Sequence, residues 1–312
     1  MTPTFRHRIL NLAQSALLIG AMAVLAWAIV ATIAGPDLTL AIVAGSILGL
    51  LFMPALPKGL LLSAYGAREL AAPEFPDGVS MLHALGERAG LPRPPALYYI
   101  PSELPNAFAM GTPQDSVVCV TDGLLRLLNR RELAGVLAHE VSHIANRDLW
   151  IMGLADAMSR AVSVASWIGQ FVLFINLPLL LAGAAHVPWH IPLLLIFSPT
   201  IMALMQLALS RTREYDADRG AVALTGDPEG LASALLKLEQ RTGRFWEEIF
   251  LPGRRIPEPS LLRTHPPTQE RVRRLRELAA DAHRTPPPEG PLSLPSLPKV
   301  PPPRFGWLGV YR

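Results

Sequence analysis

The residues best suited to chemistry lie in Leu137-Ala138-His139-Glu140-Val141-Ser142-His143. On a helix, His139 and His143 are separated by about 40° around the axis, with Cβ atoms about 6 Å apart. Both imidazoles can therefore reach one metal ion from a single face. Glu140 stands next to the first histidine, close enough to accept a proton from a metal-bound water. Two ligands and a base on little more than one helical turn suit metal-assisted hydrolysis. An ordinary amphipathic helix carrying two surface histidines is the plainer reading of the same residues.

A hydrolytic zinc site takes three protein ligands and leaves a fourth position for water. Cys119 is the single cysteine, and it lies in an apolar, strand-like run that reads as core. One cysteine excludes an internal disulfide framework, a multi-cysteine zinc site and a CxxC redox pair. The candidate third ligand is Glu214, in Ser210-Arg211-Thr212-Arg213-Glu214-Tyr215-Asp216-Ala217-Asp218. Asp218, four residues on, shares its helix face and can accept the second ring proton of a ligating histidine. Glu214 can equally be an exposed carboxylate paired with Arg211 or Arg213. The spacing also permits Glu214 and Asp218 to exchange roles.

These segments sit in a chain of 312 residues that is 50% hydrophobic and only 17% charged, with a mean hydropathy of +0.31. A soluble domain carries about a quarter charged residues, so membrane spans are expected. No charge occurs from Ile9 to Pro36, and after Asp37 a second uncharged run covers Leu38 to Pro57. Each is about one bilayer long, and the short turn between them makes a helical hairpin. Between Arg160 and Arg211 there is no Asp, Glu, Lys or Arg. A straight helix of that length would reach roughly 75 Å, so it must fold back, with Gly183 to Pro188 as the turn. Arg6, Arg8, Lys58, Arg68, Arg160, Arg211 and Arg213 flank these runs, while the hairpin tips lack positive charge. That pattern places both termini and both polar regions on the cytoplasmic side. A net charge of +3, without a basic, aromatic-interleaved surface, excludes a dedicated nucleic-acid binder.

The expected organisation is a transmembrane hairpin over residues 1–64, a catalytic region over 65–147, a second hairpin over 148–210, a second catalytic region over 211–284, and a Pro-rich tail over 285–312. Within the first catalytic region a helix is expected from Val79 to Ala89. Strands follow at Ala96 to Ile100, Ala107 to Met110 and Ser116 to Thr121, from their β-branched and aromatic content and Gly/Pro/Asp boundaries. Helices are expected at Arg131 to Ala145, Pro228 to Arg241 and Thr268 to Ala282. The tail, TPPPEGPLSLPSLPKVPPPR, reads as extended and mobile. The fold class is thus mainly α with a small β-sheet: an integral membrane protein with four transmembrane helices in two hairpins.

HEVSH is the HExxH arrangement of metal-dependent peptidases. It is followed by Asn146-Arg147-Asp148, preceded by NAFAMG (Asn106 to Gly111), and followed by SRTREYDAD and THPPTQERVRRL. In this combination, over roughly residues 1 to 280, the chain resembles the HtpX family of membrane-bound zinc endopeptidases, related to the CaaX prenyl-protein proteases. The resemblance implies a cytoplasmic, zincin-like catalytic domain of gluzincin type with one Zn²⁺ per chain. His139, His143 and Glu214 are then the zinc ligands, Glu140 the general base, and Asp218 the partner of a ligating histidine. It further implies that Asn106, Ala107, Phe108 and Ala109 line the path of the substrate, which pairs along that strand's edge. His265 and Arg271 would help to stabilise the oxyanion. The plainer readings of these residues are a turn asparagine, a loop histidine before two prolines and a solvated helix face.

The function expected is hydrolysis of peptide bonds in membrane-associated or misfolded proteins, a quality-control role in the inner (cytoplasmic) membrane. The partners would be a protein or peptide substrate and the lipid bilayer. One alternative is a processing protease for a specific lipidated or secreted peptide. An iron site that binds oxygen would leave Glu140 surplus. A channel or transporter would be expected to carry charged residues in its uncharged runs, and no Asp, Glu, Lys or Arg occurs there.

Overall fold

The computed structural model describes residues 12–32, 58–183, 188, 190–249, 267–278, 290, 292, 304–306 and 309–311, the side chains of 242–249, 304–306 and 309–311 excepted. The chain divides into two compact units. One is drawn from Met1–Ala55 and Trp150–Thr212, the other from Leu56–Leu149 and Arg213–Arg312.

The first unit is helical. Among the described residues three helices are long and apolar enough to cross a membrane: α1 (Leu12–Thr32), α6 (Asp148–Ile175) and α8 (His190–Thr225), with the short α7 (Leu177–Leu181) between the last two. Their apolar side chains interlock around Met22, Ile29, Ala155, Val162, Leu195, Met202 and Leu209. Trp167, Phe171, Phe174 and Leu204 stay exposed, as lipid-facing residues do. Two polar contacts join α6 to α8. Ser166 and Ser198, both fully buried, meet Oγ to Oγ at 2.9 Å. Pro199 inside α8 lacks the N–H that would bond the Leu195 carbonyl one turn earlier. Gln170 Nε2 donates to that carbonyl at 3.0 Å instead, satisfying a group that hydrocarbon cannot. The expected span Leu38 to Pro57 and the hairpin tip near His186 lie outside the described residues.

The second unit is built on a four-stranded sheet. Its strands are β1 (Arg68–Glu69), β2 (Ala96–Ile100), β3 (Ala107–Thr112) and β4 (Asp115–Thr121), in the order β1-β2-β4-β3. β2 and β4 are parallel, and β3 pairs antiparallel with β4 and forms an edge. Alternation along β4 divides its side chains between two faces. Val118 and Val120 face the main core, whereas Val117 and Cys119 join Leu62 and Ile100 on the other side. Leu62 comes from the short helix α2 (Lys58–Ala64). The main core is closed by α3 (Pro76–Arg88), α4 (Asp122–Leu127) and α5 (Arg130–Ala145), with α9 (Pro228–Ile249) and α10 (Thr268–Leu278).

The expected helices and strands of this unit are present, the strand Ala96–Ile100 with its expected ends and most of the others with shifted ones. Helix α3 starts at Pro76 rather than Val79, because proline suits the first helical position and Asp77 the first turn. The two-residue β1 and the six-residue α4 were not expected; both are too short for a periodic pattern. Of the expected tail only residues 290, 292, 304–306 and 309–311 are described. Gly290 carbonyl accepts a bond from the amide of Arg130 at 3.2 Å, one of the donors that a helix start leaves without an intrahelical partner. Leu292 packs against the main core. At the far end β5 (Arg304–Gly306) pairs antiparallel with β6 (Gly309–Tyr311).

Candidate active site

Helix α5 carries the HEVSH segment through the centre of the second unit. Its start is a capping box. Asn129 Oδ1 accepts from the Glu132 amide and Glu132 Oε2 accepts from the Asn129 amide, each at 2.9 Å. Ser233 Oγ and Lys237 Nζ of α9 also donate to the Glu132 carboxylate, at 2.6 and 2.7 Å. Arg131 adds an ion pair to Asp227, which caps α9 by accepting from the Gly230 amide. The helix is buried from Glu132 to Ile144. His139, Glu140 and His143 are therefore interior groups, 5%, 4% and 9% exposed. The plainer reading, two surface histidines on an amphipathic helix, does not fit.

The third element is the C-terminal part of α8, from Arg213. At Gly220 it passes so close to α5 that a Cβ would lie 2.3 Å from Ser142 Oγ. Only a residue without a side chain allows that approach. It brings Glu214, also buried, to the two histidines. The Nε2 atoms of His139 and His143 are 3.1 Å apart. Glu214 Oε2 is 3.5 Å from the first and Oε1 is 3.6 Å from the second. An exposed Glu214 paired with Arg211 or Arg213 is not what is found. It forms an ion pair with Arg271 of α10, at 3.1 Å.

A carboxylate holds the far nitrogen of each ring. His139 Nδ1 lies 3.1 Å from Asp218 Oδ1, and His143 Nδ1 lies 2.8 Å from Asp148 Oδ2. Nδ1–H donation to these acceptors leaves both Nε2 lone pairs directed at each other and at Glu214. Burial opposes charging the rings, but the carboxylates prevail. Asp218 and Glu214 raise the pKa of His139, and Asp148 and Glu214 hold that of His143 well above its ordinary value. The site thus draws a cation, either protons or a metal ion.

The donor set fits a metal. Ligand atoms of His139, His143 and Glu214 all lie within 4.8 Å of one another. Bonds of about 2.0–2.1 Å in a tetrahedral arrangement separate ligand atoms by about 3.3 Å, and the observed separations bracket that value. Two imidazole nitrogens and one carboxylate oxygen also suit zinc in character.

Arg271, expected near an oxyanion, is buried with all three guanidinium nitrogens facing carboxylates. Nε and Nη2 contact Asp218 at 2.8 and 2.6 Å, and Nη1 contacts Glu214. Asp218, Glu214 and Glu140 keep it charged despite burial. Asn106 sits half-buried ahead of β3. Its amide donates to Thr121 Oγ1 at 2.8 Å, and its carbonyl accepts from the Thr121 amide at 3.0 Å. Ala107 and Ala109 point into the main core beside α5, while Phe108 lies on the other face of the sheet. Cys119 is fully buried, its thiol pushed up to about 12 by desolvation and then by Glu140. His265 lies outside the described residues. Sequence reasoning missed two residues. Asp148, five positions after His143, and Arg213, the neighbour of Glu214, both belong to the site. The Asn146-Arg147-Asp148 run was the available signal.

Residues 76–279 match Peptidase family M48. The chain is 41% identical over 234 residues to the protease HtpX homolog of Thermococcus kodakarensis, covering 71% of this chain and 80% of that protein. The protease HtpX homolog of Pyrococcus furiosus is 38% identical over 233 residues, with the same shares. That of Gemmatimonas aurantiaca is 37% identical over 243 residues, or 74% of this chain and 85% of the relative. A matched segment that holds the histidine pair, Glu214 and Arg271, with this identity over most of both chains, leads to one conclusion: the chain belongs to peptidase family M48, as an HtpX-like metalloprotease.

Proposed function

We propose that the protein is a zinc-dependent endopeptidase of the cytoplasmic membrane that hydrolyses membrane-associated or misfolded proteins at its cytoplasmic face. The observation that carries this reading is the convergence of His139 Nε2, His143 Nε2 and the Glu214 carboxylate within ligand distance, with Glu140 on the same helix. His139, His143 and Glu214 would hold the zinc ion, which supplies Lewis acidity and lowers the pKa of a water.

The chain's own residues do the rest. Glu140, as general base, takes the proton of the attacking water and returns it to the leaving amine nitrogen. Asp218 and Asp148 hold the two imidazoles so that Nε2 faces the site. Arg271 locks Glu214 and Asp218 in place and keeps a positive charge in a buried, acid-rich centre. His265, as the resemblance implies, would donate to the oxyanion. The substrate chain lies extended along the edge of β3, from Asn106 to Ala109, bonded through its backbone. Such pairing gives affinity with little side-chain preference, which suits a quality-control protease.

The test uses the detergent-purified, full-length protein with zinc bound and an unfolded protein as substrate. Cleavage at many sites supports the proposal, and a single product from one lipidated or secreted peptide supports a processing role. Orientation is tested with Cys119 replaced by alanine and single cysteines introduced near His186 and at Arg312. A reagent confined to the outer face should label only the first, and reversed labelling would refute the topology.

A further inference from the structure

We propose that Asp148 and Arg213 form a positioning pair that sets which ring nitrogen of His143 faces the metal site, an inference that rests on the zinc reading above. The two oxygens of Asp148 are divided between two partners. Oδ2 lies 2.8 Å from His143 Nδ1, and Oδ1 accepts from Arg213 Nη1 at 3.2 Å. Arg213 is held in turn by Asp216 through Nη2. The Asp148 and Arg213 side chains are only 2% and 4% exposed, so water does not substitute for either partner.

The backbone is shaped to make this contact. Arg147 adopts φ 58°, the one non-glycine residue with positive φ among the described residues. That left-handed turn is unfavourable for a residue with a Cβ. It ends α5 and starts α6 with Asp148 in its first turn, turning the carboxylate back onto the helix that carries His143. A carboxylate accepts at both oxygens, so it takes the Nδ1–H of His143 while Arg213 keeps it from rotating. His143 Nε2 is then free of hydrogen and faces Glu214.

This arrangement makes an unusual demand on an isosteric replacement. In Asp148→Asn the single oxygen is retained by the Arg213 cation, so the amide NH₂ turns to His143 Nδ1. A donor there selects the tautomer with hydrogen on Nε2, which cannot ligate. Removing Arg213 as well releases the amide to rotate, and its oxygen again accepts from Nδ1–H. The second substitution should therefore restore what the first removes.

The experiment measures zinc affinity by chelator competition on the full-length protein in detergent, in a Glu140→Gln background that prevents self-cleavage. Asp148→Asn is expected to weaken zinc about 10- to 100-fold, the usual effect of losing a carboxylate behind a ligating histidine. Asp148→Asn with Arg213→Met is expected to bind more tightly than Asp148→Asn alone. A purely structural role predicts the opposite order, because the double variant loses more packing. Unchanged affinity in Asp148→Asn, or a double variant as weak as the single one, overturns the inference. Should Asp148→Asn fail to fold by circular dichroism, Arg213→Met alone carries the test, with weaker zinc expected and unchanged affinity overturning it. Absence of tight zinc from the background protein would instead refute the metal-site reading itself.

Discussion

A Cβ at Gly220 would stand 2.3 Å from Ser142 Oγ and 2.7 Å from Ser142 Cβ, so the helix that carries Glu214 crosses the histidine helix at a point where neither can carry more bulk. This crossing sets the distance from Glu214 to His139 and His143. Gly220→Val is expected to destabilise the protein by about 1–3 kcal/mol through overpacking and to reduce bound metal. Adding Ser142→Gly removes both close atoms and should return part of the loss. Thermal unfolding and metal analysis of the single and double variants check this; equal losses in both would place the strain elsewhere.

The capping box of α5 links stability to acid. Burial works to raise the pKa of Glu132, but bonds from Lys237, Ser233 and the Asn129 amide outweigh it and lower the pKa below its ordinary value. A carboxylate with a lowered folded pKa stabilises fully above its unfolded pKa of about 4.5, and that contribution is lost as pH falls through the folded value. Glu132→Gln should cost about 1 kcal/mol at neutral pH. The gap to the parent protein should close as the pH drops below about 4. Unfolding midpoints of the metal-free proteins at several pH values test it, since acid also displaces metal from histidines. A gap that stays constant with pH would contradict the assignment.

The division of labour between the carboxylates of α8 gives a sharper test. Glu214 faces both Nε2 atoms, whereas Asp218 lies on the Nδ1 side of His139. Glu214→Ala should lose zinc and activity together, leaving only two protein ligands. Asp218→Asn should keep zinc but weaken its affinity or activity about 10- to 100-fold. Zinc retained in Glu214→Ala and lost from Asp218→Asn would show that the ligand is Asp218.

Much of this site was legible because its spacing is local. HEVSH and the Glu214–Asp218 pair each lie on one helix face, where the 3.6-residue period alone brings side chains together. The strand at Ala96–Ile100 was bounded correctly by its own β-branched and aromatic residues. What sequence could not supply were contacts across elements. Arg271 reaches Asp218 across 53 positions, and Arg213 reaches Asp148 across 65. Neither has a periodic signature, and an arginine in a polar stretch reads as solvated until the fold buries it. The bond from Arg130 to Gly290 is of the same kind, and it ties one residue of a Pro-rich segment that looked unattached to the start of α5.

In the proposed reaction Glu140 performs the proton transfer at a zinc ion that it does not itself bind. The most direct test is to purify Glu140→Gln and the parent protein in detergent, determine zinc per chain, and assay cleavage of an unfolded protein. About one zinc per chain is expected in both, with a loss of proteolysis of at least 100-fold in the variant. A folded Glu140→Gln protein without zinc, or one that still cleaves at the parent rate, would contradict it.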